Sequence, residues 1–227
     1  MKKIIFLFLV LIFFTSVKSD AAPCYGTEVP EQGKFIGGGQ TYVILRRYLE
    51  KDYGKVRSTQ HFFQLSYGVF DWLSLDLKGG AGNIKQHPII RDEIDYSSSF
   101  AGGYGLRAKF LDQDKFSMVF GFQHISVHPQ KAYIGNQKNK AVLDDWQFSL
   151  LGSYDLSFCR PYLGAKWDRV DYIHWIGENR KRKMSDLSKL TGLVAGFDIP
   201  VNDKVFFNLE GQAFDGEAFS FALNYKF

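Results

Sequence analysis

The sequence predicts an all-β protein, an antiparallel transmembrane β-barrel of ten strands, with eight as the alternative count. Three observations predict it. Segments of about ten residues, the length a tilted strand needs to cross a bilayer, alternate apolar and polar side chains along most of the chain. The connections between these segments alternate short and long. After the first residues there is no run of the roughly 18 apolar residues that a spanning helix needs, so lipid can be crossed only by a closed sheet.

At the amino terminus, Lys2 and Lys3 precede an apolar run from Ile4 to Phe14, and Ser19-Asp20-Ala21 offers a small-residue cleavage site. These are the three parts of a secretory signal peptide, and the run is too short for a helix that must span about 20 residues. Residues 1–21 are read as signal peptide, 22–33 as a periplasmic segment and 34–227 as an outer-membrane barrel. Lipidation of Cys24 would need a small residue before it, and Pro23 stands there.

The first strand, Lys34 to Leu49, has its faces blurred by Gly37-Gly38-Gly39. Next, Phe63, Leu65 and Tyr67 oppose Gln64 and Ser66, and beyond the turn Val69-Phe70-Asp71, Leu73, Leu75 and Leu77 oppose Ser74, Asp76 and Lys78. Tyr104, Leu106, Ala108 and Phe110 then oppose Gly105, Arg107 and Lys109. Past Asp112-Gln113-Asp114, Phe116, Met118, Phe120 and Phe122 oppose Ser117, Gly121 and Gln123. Trp146, Phe148, Leu150 and Tyr154 oppose Gln147, Ser149, Ser153 and Asp155; the turn Leu156 to Arg160 leads to Leu163, Ala165 and Trp167 against Tyr162, Lys166 and Asp168. Leu193, Ala195, Phe197 and Ile199 oppose Gly196 and Asp198, and after Asn202-Asp203-Lys204 come Val205, Phe207 and Leu209 against Asn208, Glu210 and Gln212. In the last strand Phe219, Phe221, Leu223, Tyr225 and Phe227 share one face, and Ser220, Ala222, Asn224 and Lys226 the other.

With a periplasmic amino terminus, every short turn falls inside. The long connections Glu50 to Arg57, Asn83 to Ser97, His128 to Val142 and Tyr172 to Leu187, with the shorter Asp215-Gly216-Glu217, fall outside. Outer-membrane barrels follow that rule, and a soluble sandwich has no reason to. Composition agrees: aromatics are 17% of the chain, with 22 Phe and 22 Gly, yet mean hydropathy is slightly polar, as outward apolar and inward polar faces require. A net charge of only +4, without a basic stripe carrying stacking aromatics, gives nucleic-acid binding no support.

The chain resembles the small outer-membrane β-barrel superfamily of OmpA-type and opacity-type proteins. The resemblance is carried by Asn224-Tyr225-Lys226-Phe227 and by the hairpin phrase Tyr67-Gly68-Val69-Phe70-Asp71-Trp72-Leu73. It implies that Tyr225 and Phe227 act as an assembly signal for the barrel-assembly machinery. It implies nothing about activity. Many relatives append a soluble peptidoglycan-binding domain, and nothing follows the last strand here.

Four groups of residues are candidates for function. The inward charges Asp76, Lys78, Arg107, Lys109, Lys166, Asp168, Asp198 and Glu210, with Asp155 and Lys226, fill a narrow lumen and are expected to pair into a plug. Unpaired, they would line a narrow, porin-like pore. His124 and Ser126, two apart on an outward face at the outer rim, suit a histidine base and a serine nucleophile meeting a lipid. That pair looks like the His-x-Ser of the outer-membrane lipid A deacylases. Val127 replaces the family's following Asn, and the acid would have to be Asp144 or Asp145, since Val127 to Val142 holds none. Asp92, Glu93 and Asp95 with Asp171 and His174 faintly resemble the carboxylate and Asp-His pairs of omptin-type proteases, though two residues rather than one separate Asp171 from His174. Arg180, Lys181, Arg182 and Lys183, with Lys131, Lys138 and Lys140, make the outer loops basic and suited to lipopolysaccharide phosphates.

Cys24 and Cys159 fall on one side of the membrane, so a disulfide tethering the amino-terminal segment beneath the barrel is open. No metal ligand set or cofactor motif is expected. The reading is thus a monomeric structural or surface-interaction barrel touching outer-membrane lipid and lipopolysaccharide, with a lipid hydrolase and a pore as alternatives.

Overall fold

The computed structural model describes residues 23–90 and 92–227; the signal peptide lies outside the described residues. The strands are β1 (Phe35–Tyr48), β2 (Lys55–Phe70), β3 (Leu73–His87), β4 (Ile94–Gln113), β5 (Phe116–Val127), β6 (Ala132–Ile134), β7 (Gln137–Tyr154), β8 (Arg160–Ile176), β9 (Asn179–Met184), β10 (Thr191–Pro200), β11 (Val205–Ala213) and β12 (Glu217–Lys226). β6 and β9 are short arms of outer hairpins. The other ten form a closed antiparallel barrel, β12 pairing with β1 from Ile36↔Lys226 to Arg46↔Glu217. The seam leaves no free edge.

Alternation works as the sequence predicts because lipid and lumen select opposite faces of each strand. Phe63 is 63% exposed and Leu163 62%, values that would be a liability in water and are a lipid-facing band here. An aromatic ladder runs across β4, β5, β7 and β8, with Tyr104 to Phe122 at 6.3 Å, Phe122 to Phe148 at 5.1 Å and Phe148 to Trp167 at 5.9 Å.

Several strands are longer than the roughly ten residues needed to cross a bilayer, β4 having 20 and β7 18. The expected long loops between β5 and β7 and between β8 and β10 are largely β-hairpins that continue the wall. β9 reaches β1 through the Leu49↔Ser185 bridge and the Glu50 N to Met184 O bond of 2.9 Å. In β1 the register shifts between Ile44 and Arg46. That bulge turns Arg47 into the lumen, where it is buried.

The lumen is filled in two layers. Its outer half is an apolar core that includes Tyr42, Phe62, Ile84, Ile125, Leu143 and Tyr172. Its periplasmic half is polar and holds the segment from Pro23 onward. That segment was expected beneath the barrel; instead it enters the barrel, where Gln123 Nε2 donates to Pro23 O (2.5 Å) and Cys24 N donates to Glu210 Oε1 (2.7 Å). A mouth ringed by Arg107, Asp198 and Glu210 gives its backbone the partners that a buried peptide must have.

Candidate functional site

Most of the predicted lumen charges meet partners. Arg107 pairs with Asp76 (Nη2 to Oδ1 2.8 Å, Nε to Oδ2 3.0 Å) and donates to the carbonyls of Tyr25 (3.1 Å) and Glu28 (2.5 Å). Asp198 accepts from Thr27 Oγ1 (3.0 Å) and Asn208 Nδ2 (2.7 Å). Glu210 accepts from Tyr162 OH (2.9 Å), Cys24 N and Gln212. Lys78 Nζ lies 3.8 Å from the Tyr25 ring centroid, and no hydrogen-bond acceptor reaches it among the described residues. A ring face can hold an ammonium in this way.

Higher in the wall, Lys166 and Asp168 join a cluster that sequence reading missed. Arg47 Nη1 meets Asp215 (2.9 Å) and its Nη2 meets Asp168 (3.2 Å), while Lys166 Nζ binds Asp168 (3.1 Å) and Asp215 (2.7 Å). Asp145, buried on the neighbouring strand β7, faces the same cluster. Asp215 was read as an outer-loop residue, but the loop is short and folds it inward. Lys109 departs from the predicted network: near the periplasmic end of β4, its ammonium reaches Asp112 at the exposed turn (2.5 Å).

The disulfide left open by the sequence is not formed. Cys24 and Cys159 are both free thiols: Cys24 has moved up the lumen to Gln147, whose Nε2 is 3.1 Å from its sulfur, while Cys159 stays in the β7–β8 turn. Burial, aided by Asp155, pushes the Cys159 thiol above its ordinary value, so it is a poor nucleophile. Asp155 itself is held below the usual carboxylate range by the Ser157 amide and Arg160. Beside them at the periplasmic mouth is a cavity of about 180 Å³ bordered by Glu28, Arg160, Asp198 and Lys226. Arg160 and Lys226 both bind Glu28 (2.7 and 3.2 Å), completing the rim around the entering segment.

At the outer rim, Ser126 and His124 do share the outward face, and the acid beside them is Asp144, directly opposite Ser126 on β7. The order is not the expected one. Ser126 donates its hydroxyl hydrogen to Asp144, and its Oγ lies 2.8 Å from Nε2 of His128 rather than of His124. His124 Nε2 is 3.9 Å from the same Asp144 oxygen, and its ring packs on Trp146 at 4.1 Å between centroids. The row His128, Ser126, Asp144, His124 therefore puts two proton acceptors next to one hydroxyl, above a floor of aromatics. Sequence reading found three of the four. It missed His128, two residues beyond Ser126, where the same period of two placed it in view.

The omptin-like set does not assemble. Asp171 is held by Arg169 (3.3 Å) and Arg182, whereas His174 points the other way, to Tyr53 OH (3.0 Å). Glu93 is taken by Arg57 and His87. The run Arg180 to Lys183 lies on β9 and is dispersed: Arg182 binds Asp171, Lys183 lies 3.8 Å from Glu50, and Arg180 stacks over Trp175 at 5.6 Å. At the other end, Phe227 N donates to Phe35 O (2.9 Å) and its ring packs on Tyr225 at 4.9 Å, so the carboxy terminus is part of the closing seam.

A closed ten-stranded sheet with an apolar exterior, periplasmic turns and taller outer hairpins defines a bacterial outer-membrane β-barrel protein. No family model and no curated protein matches the chain. Among solved structures it is similar to an outer membrane channel from Pseudomonas putida F1 (9% identity, 91% of this chain and 100% of that one, TM-score 0.49). It is also similar to the transport unit of the autotransporter AIDA-I from Escherichia coli (11%, 91% and 93%, 0.49) and to the outer membrane protease OmpT from Escherichia coli (12%, 89% and 99%, 0.45). Likeness at this level assigns no role, and the class rests on the barrel's own geometry.

Proposed function

We propose that this is a non-conducting outer-membrane barrel that acts through its outer rim and hairpins on membrane lipid and surface partners. The observation that carries the reading is the doubly filled lumen, apolar in its outer half and threaded by the amino-terminal segment in its periplasmic half. A water path needs mobile or unpaired charge, and here the buried charges are paired, except Lys78, which rests on the Tyr25 ring, while an apolar core packs the outer half. In planar bilayers the purified barrel should show no stable conductance steps; regular single-channel openings would overturn the reading.

A second reading, ester hydrolysis on a lipid, is favoured by one observation: the Ser126 hydroxyl lies between Asp144 and His128 on the lipid-facing wall. Ser126 Oγ would attack an acyl carbonyl, its proton passing to the neighbouring acceptor and then to the leaving alcohol, and water would release the acid from the acyl-serine. Lipids extracted from cells making the wild type or Ser126→Ala settle it. Loss of an acyl chain with the wild type alone supports hydrolysis, and identical lipids reject it.

A further inference from the structure

We propose that Lys131, Lys138 and Lys140 form a site for the phosphorylated headgroup of an outer-leaflet lipid on the outward face of the β6–β7 hairpin. The inference rests on the lipid-directed reading above and names the ligand chemistry and the residues. It does not need Ser126 to be catalytic.

The register brings the three amines together. Tyr133 pairs with Lys138 and Ala132 with Asn139, so Lys131, one step before Ala132, comes opposite Lys140. Lys138 and Lys140 share a face by the period of two. That face continues down β7 through Val142 and Asp144 to Trp146, the wall that meets lipid, and Lys140 pairs across with Trp175, over which Arg180 stacks.

Nothing neutralises the cluster. Among the described residues no carboxylate lies within ion-pair distance of any of the three lysines, in contrast to Arg182 and Lys183 nearby. Lys138 and Lys140 hold the Lys131 ammonium below its ordinary pKa by like-charge repulsion. A hairpin that gathers three amines without an acid is arranged for a polyanion, and ammonium groups are natural partners for phosphate.

Height and direction identify the source of that anion. Lys140 is four residues beyond Asp144, which for a strand rising ~3.3 Å per residue and tilted ~40° is roughly 10 Å further from the hydrocarbon. The stripe therefore reads, from membrane outward, aromatic ladder, Ser126–Asp144 band, lysines. An amphiphile with acyl chains below and phosphates above matches that order. A soluble anion has no reason to prefer the outer wall to the barrel mouth.

The test uses the full barrel in neutral maltoside micelles, with a bisphosphorylated acyl disaccharide as probe and binding read by native mass spectrometry. Lys131→Gln/Lys138→Gln/Lys140→Gln should weaken binding at least tenfold, as should enzymatic removal of the probe's phosphates. Lys51→Gln/Lys55→Gln should leave it unchanged. Equal binding by the triple variant, or by the dephosphorylated lipid, overturns the proposal. Full competition by millimolar inorganic pyrophosphate overturns the lipid assignment in favour of a free-anion site. Should the Ser126→Ala comparison fail while phosphate-dependent binding persists, the hydrolase reading falls alone.

Discussion

Replacing Arg47 with Met keeps most of the side-chain stem and removes the charge from the most constrained polar cluster in the barrel. Arg47 is 1% exposed and contacts Asp215 at 2.9 Å and Asp168 at 3.2 Å, with a further bond to the Asp168 carbonyl at 3.1 Å. Two cations, Arg47 and Lys166, face Asp168, Asp215 and Asp145. Without Arg47 one cation is left for three buried carboxyl groups. Removing one partner of a buried pair costs about 3–5 kcal/mol, because the other charge stays buried and uncompensated. Reversible urea unfolding of the barrel in micelles, followed by Trp fluorescence, should show a loss in that range. The double variant Arg47→Met/Asp215→Leu should recover a large part of it, since replacing both partners with apolar groups removes the orphaned charge. A loss below about 1 kcal/mol for Arg47→Met, or a double variant no better than the single, would refute the claim that pairing matters here.

Deleting residues 23–32 should lower the urea midpoint yet leave the barrel non-conducting in planar bilayers, because the apolar layer around Tyr42 and Leu143 stays in place. Gly38→Val should block seam closure: a Cβ there would stand 2.2 Å from Leu223 O and 2.5 Å from Asn224 Oδ1, and the product should migrate as unfolded chain on unheated gels. Asp186 caps the turn before β10 by accepting from the Ser188 amide (3.0 Å) and hydroxyl (2.7 Å), which hold its carboxyl below the usual range. A depressed carboxylate contributes fully above its unfolded pKa of about 3.9 and loses that contribution as pH falls through the folded value. Protection of the Ser188 amide from exchange should therefore be flat from about pH 5 to 7 and fall below about pH 4.

The strands were legible because lipid and lumen impose a period of two that runs through β3, β7 and β12 with few breaks. Where the backbone departs from that period, the sequence goes quiet. The bulge before Arg47 sends a charge somewhere that counting by twos does not reach. Alternation also reports which side of the wall a residue faces and not what lies opposite, so the division of the lumen into a dry layer and a polar layer was hidden. The place of the amino-terminal segment was hidden for a related reason: its partners, from Arg107 to Lys226, are scattered one to a strand. At the rim the same regularity helped, and Ser126 with His124 stood out. Which histidine touches the hydroxyl was a matter of rotamer, and rotamers leave no trace in spacing.

The segment from Pro23 to Glu28 and the residues that grip it have a consequence for how the wall is counted. Its atoms touch Lys78, Arg107, Gln123, Gln147, Arg160, Asp198, Glu210 and Lys226, residues on β3, β4, β5, β7, β8, β10, β11 and β12. Adding or losing one hairpin would change the diameter of such a tube by roughly 4 Å, given strands spaced about 4.8 Å apart and tilted near 40°. The 2.7 Å bond to Glu210 on β11 and the 3.1 Å bond to Arg107 on β4, across the barrel from it, could not both survive that change. The peptide works as a gauge set inside the cylinder: only a wall of the right circumference can close on it, and a slipped register or an extra pair of staves would leave one side out of reach.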